Sequence, residues 1–234
     1  MLKKKSEKNL SNKMNRLIPN RFLKDVIVVG GGHAGTEAAA AAARMGCKTA
    51  LVTQKIETIG EMSCNPSFGG IGKGHLMKEV DALDGICARA CDESGIQYKI
   101  LNRSKGPAVQ GPRAQIDRNL YKSYIQNELK NNTPNLQIIQ STVENLLIKN
   151  GICHGVILGN GEELEASGVV LTTGTFLRGC INIGLDVFPA GRMGDAAVSG
   201  LSSTLDNLGF KLGRLKTGTT LDMSYKKIQT NFYS

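Results

Sequence analysis

The sequence of 234 residues contains no apolar run near the roughly 20 residues that a membrane-spanning helix needs. It also lacks the apolar core of about 7–15 residues that marks a secretory signal. Its six cysteines include no paired Cys-x-x-Cys motifs, so we expect no structural zinc site and reduced thiols. The hydrophobic fraction of 41% is ordinary for a globular protein.

Acidic residues are nearly absent from the first 24 positions, which hold eight Lys and Arg but only Glu7 as an acid. The remaining residues, 25–234, hold 21 basic and 19 acidic side chains. The net charge of +9 therefore mostly reports this leader, and it is weak evidence for a nucleic-acid surface. The composition of residues 1–24 is typical of an organelle transit peptide, with a disordered, solvated tail as the alternative.

The first elements predict a β-α-β unit. Residues 25–29 form a short apolar strand, residues 36–45 are Ala-rich and helical, and Gly46 is placed to end that helix. Residues 49–53 form a second strand, which should lie parallel to the first.

The rest of the chain changes from helical to strand patterns. We predict an extended loop over 54–74 and helices over 75–91 and 115–129. Strands are expected at 136–140, 143–149 and 152–158, with a hairpin turn at Asn150-Gly151. A final buried strand, 169–171, should end at Thr172-Thr173-Gly174.

A glycine motif, Gly30-x-Gly32-x-x-Gly35, lies between the first strand and the first helix. In this context the first glycine makes a tight turn, the second lets a pyrophosphate approach the backbone, and the third allows close helix packing. The positive end of the helix then faces the phosphates. We predict a dinucleotide site rather than an ordinary glycine-rich turn, formed by Gly30, Gly31, Gly32, His33, Ala34 and Gly35.

Two features bear on which dinucleotide binds. The carboxylate that usually holds a ribose hydroxyl after the second strand is absent, and Thr53-Gln54 stand there, with Glu57 three residues later. The predicted β-meander favours FAD over NAD, because flavoproteins of the glutathione-reductase class carry it. By that analogy Val143 offers its main chain to the adenine, and Thr173-Gly174 form the turn at the end of the returning strand.

The loop over 54–74 holds two further candidates. Its Gly-Gly-Ile-Gly-Lys-Gly run at 69–74 is not a P-loop, because Ser67 replaces the first glycine and Gly74 follows the lysine. Cys64 lies in a polar loop, with Lys73 and His75 near in sequence, and is either a nucleophile or an inert thiol. Elsewhere, Cys87 and Cys91 share one face of a predicted helix and fit small buried apolar residues.

Several motifs together resemble the MnmG family, also called the glucose-inhibited division protein A family. The similar segments are 30–39, 62–66, 69–76, 79–83, 105–109, 113–118, 171–177 and 213–219. The resemblance covers about residues 25–220, and the motifs are jointly specific. Leu-Asn-Arg at 101–103 and Gly-Pro-Arg at 111–113 look most like the mitochondrial branch.

This resemblance implies an α/β, Rossmann-like FAD-binding domain and an enzyme that modifies the wobble uridine of tRNA. It implies Cys64 as the catalytic cysteine, NADH as reductant and methylene-tetrahydrofolate as carbon donor. It further implies a GTPase partner of the MnmE kind, a homodimer at full length, and taurine as amine donor in a mitochondrial member. The expected location is the mitochondrion, or the cytoplasm for a bacterial protein.

The sequence departs from the family at Ala196-Ala197, where prolines are common, and at Thr220-Leu221-Asp222. Family members are also much longer, so we expect an incomplete FAD-binding domain over 25–220 followed by a divergent tail over 221–234. One alternative is the FAD- and folate-dependent tRNA methyltransferase, which the motifs at 63–66 and 69–75 disfavour. The other alternative is a non-catalytic truncated fragment.

Overall fold

The computed structural model describes residues 23–63, 65–183, 185–189 and 200–213. These residues belong to two compact units, one ending at Thr175 and the other beginning at Phe176. None of the described helices is long and apolar enough to cross a membrane. The predicted domain over 25–220 includes residues of both units, and the leader up to residue 22 and the tail over 221–234 lie outside the described residues.

The strands and helices are numbered here in chain order. The strands are β1 (Lys24–Val29), β2 (Thr49–Thr53), β3 (Ser67–Gly69), β4 (Gly95–Leu101), β5 (Gly111–Ile116), β6 (Leu136–Gln140), β7 (Val143–Lys149), β8 (Ile152–Leu158), β9 (Glu163–Leu171), β10 (Cys180–Ile183) and β11 (Asp186–Pro189). The α-helices are α1 (His33–Arg44), α2 (Lys73–Ala82), α3 (Ile86–Ser94), α4 (Arg118–Asn127) and α5 (Gly200–Asn207). Short 3₁₀ or π turns occupy Ile56–Thr58, Pro107–Val109, Glu128–Asn132 and Gly174–Phe176.

A six-stranded sheet in the order β6-β2-β1-β9-β8-β7 forms the frame of the first unit. Strands β6, β2, β1 and β9 run parallel, whereas β9, β8 and β7 form an antiparallel meander. The long strand β9 belongs to both parts: Ala166 to Leu171 follow β1, and Glu163 to Glu165 pair with β8. This confirms the predicted Rossmann-like α/β fold with a meander.

Strand β1 supplies apolar side chains to both faces of the sheet because successive residues of a strand alternate in direction. Val28 belongs to a core that includes Ala39 and Ala40 of α1 and residues of α3 and α4. Ile27 and Val29 belong to a second core, which includes Val143 and other meander residues. Burial on both faces explains why β1 and β2 read as continuous apolar runs.

The elements between β2 and β6 differ most from the sequence expectations. The predicted loop over 54–74 contains a 3₁₀ turn and β3, and α2 already begins at Lys73. The predicted helix over 75–91 is two helices, separated where Asp84 adopts a positive φ of 62° and the Gly85 amide donates to the Val80 carbonyl. Such a left-handed residue ends a helix regardless of the apolar periodicity on either side.

Strands β4 and β5 were not predicted, nor were β3, β10 and β11, and one helix was placed too early. Strands β4 and β5 form an antiparallel sheet with β3, in the order β3-β5-β4, so residues 115 and 116 are strand and not helix. The following helix starts at Arg118 because the Asp117 carboxylate accepts the amides of Asn119 and Leu120 and so caps it.

The meander strands and the turn at Asn150-Gly151 are confirmed, and both turn residues have positive φ. The expectation of a buried final strand at 169–171 is wrong in two ways. Strand β9 begins six residues earlier, at Glu163, and the side chains of Val170 and Leu171 are 40% and 36% exposed. The described residues leave that end of the strand uncovered.

The second unit, from Phe176 onward, contains the antiparallel pair of β10 and β11 and helix α5. Arg178 joins α5 through hydrogen bonds to the Ser202 hydroxyl, 3.1 Å, and the Asp206 carboxylate, 2.6 Å. The departures from the family at 196–197 and 220–222 lie outside the described residues.

Candidate cofactor-binding site

The glycine loop after β1 is shaped by two positions at which a side chain has no room. Gly30 has a φ of +114°, and a Cβ there would run into the Thr172 carbonyl. A Cβ on Gly35 would overlap the Gly30 carbonyl oxygen. The first glycine therefore makes the turn and the third lets α1 pack closely against it, as the motif predicts.

Gly32 has the opposite environment. Its backbone is extended, with φ −76° and ψ −176°, and a Cβ added there would have no heavy atom within 4 Å. It is the N-cap of α1, with no side chain capping the helix, and the first intrahelical bond shown is from Thr36 to the Gly32 carbonyl, 2.9 Å. The amides of His33, Ala34 and Gly35 therefore have no intrahelical acceptor, an arrangement that suits an anion.

The outer side of the loop rests on the end of β2. A Cβ on Gly31 would lie 2.8 Å from the Thr53 hydroxyl oxygen, and the Gly31 carbonyl accepts the Gly60 amide at 3.2 Å. Thr53 is buried, and its carbonyl accepts the Ser141 amide, 2.9 Å. Thr53 thus occupies the position where related fingerprints carry a ribose-binding carboxylate, and its hydroxyl lies against the glycine loop.

The His33 side chain is held in a cluster of rings. It makes edge contacts with Phe68, at a centroid distance of 5.1 Å, and with Tyr121, at 5.6 Å. The Tyr121 hydroxyl also lies 3.4 Å from His33 Nδ1. Burial, and secondarily the positive charge of Lys73, hold the pKa of His33 below its ordinary value. The imidazole is therefore neutral at pH 7, and α1 begins on an uncharged side chain.

Lys73, at the start of α2, faces the same cluster. Its ammonium lies 4.1 Å from the Phe68 ring centroid and donates to the Ser67 carbonyl at 3.1 Å. A cation over a ring face is stabilised by the ring quadrupole. The lysine of the glycine-rich run thus points back toward β3, which agrees with the sequence argument against a P-loop.

Helix α3 is tied to α1 by Glu37. The Glu37 carboxylate accepts the amides of Ile86 (3.0 Å) and Cys87 (2.6 Å), which are the first two of α3. Cys87 and Cys91 are buried on one face of α3, which confirms the packing expected of them. The Tyr121 hydroxyl donates to the Cys87 sulfur at 3.4 Å, so α1, α3 and α4 meet behind His33.

The other predicted site residues lie in different surroundings. Val143 is buried in the core that contains Val29 and Val52. Gly174 has a φ of +56°, a Cβ there would meet no heavy atom within 4 Å, and half-buried Thr173 precedes it. Cys64 lies outside the described residues. No group of His, Cys, Asp and Glu within the described ranges is arranged to hold a metal ion.

Two residues at the site were missed by sequence reasoning. Thr172, not Thr173, contacts the glycine loop: its hydroxyl donates to the carbonyls of Val29 (2.8 Å) and Gly30 (3.2 Å). Tyr121 reaches His33 from 88 residues away. The Thr-Thr-Gly sequence gave a signal for the first, but nothing in the local pattern of α4 indicates the second.

These features define a Rossmann-like domain whose glycine loop and helix N-terminus fit the pyrophosphate of a dinucleotide. The chain belongs to the glucose inhibited division protein A family, whose match extends over residues 25–232.

Curated relatives agree with this membership. The mitochondrial 5-taurinomethyluridine tRNA synthase subunit MTO1 of Macaca fascicularis is 61% identical over 203 residues, which are 83% of this chain and 29% of that protein. The tRNA uridine 5-carboxymethylaminomethyl modification enzyme MnmG of Granulibacter bethesdensis is 61% identical over 198 residues, 83% of this chain and 31% of that protein. The chain thus spans about three tenths of the curated relatives it matches.

Solved structures of the family share the fold. GidA of Aquifex aeolicus superposes with a TM-score of 0.78 at 45% identity, over 85% of this chain and 34% of that chain. The GidA-related protein of Thermus thermophilus has a TM-score of 0.56 at 22% identity, over 81% and 71% of the two chains, and shows the fold alone.

Proposed function

We propose that this chain binds FAD and serves in the modification of the wobble uridine of tRNA. The observation that carries the cofactor assignment is a contrast within the glycine loop. A Cβ on Gly30 or Gly35 would collide with backbone atoms, whereas a Cβ on Gly32 would meet no heavy atom within 4 Å, next to helix amides that have no intrahelical acceptor. That open space fits a pyrophosphate. FAD is preferred over NAD because the meander of β7, β8 and β9 follows the first β-α-β unit.

The chain's own residues have distinct roles in this proposal. The amides of His33, Ala34 and Gly35 bind the pyrophosphate, and Gly31 lies against the Thr53 side chain. Val143 offers its main chain to the adenine, and Thr173 and Gly174 lie beside the cofactor at the end of β9. FAD, when bound, supplies the electron-transfer chemistry that no amino-acid side chain provides.

The assignment of the substrate rests on the relatives, whose names state that they modify uridine in tRNA. In this proposal Cys64 is the nucleophile toward the base, NADH is the reductant and methylene-tetrahydrofolate is the carbon donor. An MnmE-type GTPase is the partner, and the protein acts as a homodimer. Similarity to the mitochondrial MTO1 proteins supports the mitochondrion as its location and taurine as the amine donor.

Two measurements test the proposal. Titration of the purified chain with FAD, followed by flavin fluorescence, should show saturable binding. Nucleoside analysis of tRNA from cells deleted for this gene should show loss of the 5-substituent on the wobble uridine. An intact wobble modification in the deletion cells would contradict the proposed function. Loss of a 5-methyluridine instead would favour the folate-dependent methyltransferase.

A further inference from the structure

The hairpin of β4 and β5 is positively charged. Residues 95–116, called the basic hairpin here, contain Lys99, Arg103, Lys105 and Arg113 and no acidic residue. Without them, residues 25–234 would hold 17 basic and 19 acidic side chains. The hairpin alone therefore carries a net charge of +4, against 21 − 19 = +2 for residues 25–234 as a whole.

Strand register brings two of these charges together. Lys99 of β4 and Arg113 of β5 are direct cross-strand partners, so their side chains leave the same face of the sheet. Like charges directly opposite one another destabilise a strand pair. No described carboxylate lies within ion-pair distance of either residue, so nothing shown within the chain offsets their repulsion.

Two basic side chains bond to Ser67 of β3. The Arg113 guanidinium donates to the Ser67 hydroxyl at 3.0 Å, and the Lys73 ammonium donates to the Ser67 carbonyl at 3.1 Å. Lys73 is also close enough to His33 to lower its pKa. Arg113 and Lys73 therefore bond to the same residue of β3, one at its hydroxyl and the other at its carbonyl.

The loop at the tip of the basic hairpin is held in place by its own side chains. The Gln110 side-chain amide donates to the carbonyls of Arg103 (3.2 Å) and Lys105 (3.0 Å). The Asn102 side-chain amide donates to the Val109 carbonyl at 3.0 Å. These bonds fix the backbone on which Arg103 and Lys105 are presented, and both side chains are exposed.

We infer that the basic hairpin is a docking surface for the phosphate backbone of RNA, a conclusion that rests on the function proposed above. Closely spaced phosphates offset the Lys99–Arg113 repulsion, and guanidinium groups bind them through paired hydrogen bonds. The exposed side chains of Arg103 and Lys105 add two further positive charges at the tip of the hairpin.

The test is the salt dependence of binding between the purified full chain and a tRNA transcript. The double variant Lys99→Gln with Lys105→Gln removes two exposed charges that contact no residue of the cofactor loop. Each lost phosphate contact should lower the slope of log affinity against log salt by about 0.7–0.9, and affinity at about 0.1 M salt should fall roughly tenfold or more. The matched control, Lys48→Gln with Lys130→Gln, removes two exposed lysines from other parts of the chain.

The outcomes separate this inference from the proposed function. The basic leader is present in every variant, so the result is the difference in salt dependence of tRNA binding between the hairpin double variant and the control double variant. An equal loss in both pairs, or an unchanged slope in the hairpin pair, would overturn the docking surface. So would a loss of binding to anionic lipid vesicles or to an acidic peptide without a loss of tRNA binding. If deletion cells keep their wobble modification while the Lys99→Gln, Lys105→Gln variant shows a reduced salt dependence of tRNA binding, the proposed function fails but the RNA-docking surface stands.

Discussion

The Thr172 hydroxyl donates a hydrogen bond to the Val29 carbonyl, 143 residues earlier in the chain, at 2.8 Å. The Thr172 amide donates to the same carbonyl at 2.9 Å, and the hydroxyl also lies 3.2 Å from the Gly30 carbonyl. The end of β9 therefore closes the turn between β1 and α1. The shape of the glycine loop depends on a residue that the glycine motif does not contain.

Replacing Thr172 with Val removes this hydroxyl at nearly constant volume. We expect the free energy of unfolding to fall by about 1 kcal/mol, the usual value of one intramolecular hydrogen bond. FAD binding should weaken several-fold because the loop loses its support. Thermal denaturation and flavin titration measure the two effects. Thr172→Ser, which keeps the hydroxyl, should bind FAD like the wild type, and equal losses in both variants would contradict the role of the hydroxyl.

Two glycine substitutions should separate folding from cofactor binding. Gly32→Val places its side chain in open space on extended backbone, so the melting temperature without cofactor should be unchanged while FAD binding is lost. Gly35→Ala should lower stability by about 1–3 kcal/mol, because its Cβ collides with the Gly30 carbonyl. Gly106→Val, also at an open position with φ −63°, is the control that should keep FAD. Full flavin occupancy in Gly32→Val would show that the pyrophosphate binds elsewhere.

The proposed nucleophile can be tested apart from the cofactor. Cys64→Ser should bind FAD normally and fail to restore the wobble modification in deletion cells, because a serine hydroxyl is a far weaker nucleophile than a thiolate at neutral pH. Cys153→Ser, a half-buried cysteine on the meander, should restore it fully. Normal amounts of modified uridine with Cys64→Ser would remove this residue from the chemistry.

His33 should make stability depend on pH in a defined direction. Its pKa is lowered in the folded chain, first by burial and then by Lys73, so the unfolded chain binds the proton more readily. Stability from this group is complete above the unfolded pKa, about 6.5, and is lost as pH falls through the lowered folded pKa. His33→Gln should therefore lose less melting temperature than the wild type between pH 7.5 and pH 5. The exposed His154→Gln serves as control, and identical pH profiles for His33→Gln and wild type would refute the assignment.

The sequence predicted those elements whose signals are local. Strands β1 and β2 are apolar on both faces, and Asn150-Gly151 fixes a hairpin by its positive φ, so each could be placed from a few residues. Strands β4 and β5 carry a different pattern: Ile96, Tyr98 and Ile100 alternate as in a strand yet remain exposed, and Arg113 stands between short apolar residues. Their pairing with each other and with β3 is decided by tertiary contacts.

The same distinction holds at the site. The glycine motif predicted the loop because its three glycines fall within six residues, between a strand and a helix. The contacts of Thr172 and Tyr121 with that loop span 142 and 88 positions, and no periodicity encodes them. The break at Asp84 was missed because the helix that follows it is capped from α1, by Glu37, and not by a neighbouring residue.

Glu37 lies in α1, two residues after the last glycine of the loop, yet its carboxylate accepts the two amides that begin α3. Loss of its carboxylate would leave those amides without their acceptor in a partly buried place. This would lower the free energy of unfolding without changing the affinity for the cofactor. In a cell, such a variant would be cleared by proteolysis before it met any substrate. An inherited change at Glu37 would therefore register as a shortage of the protein, with the molecules that survive working normally.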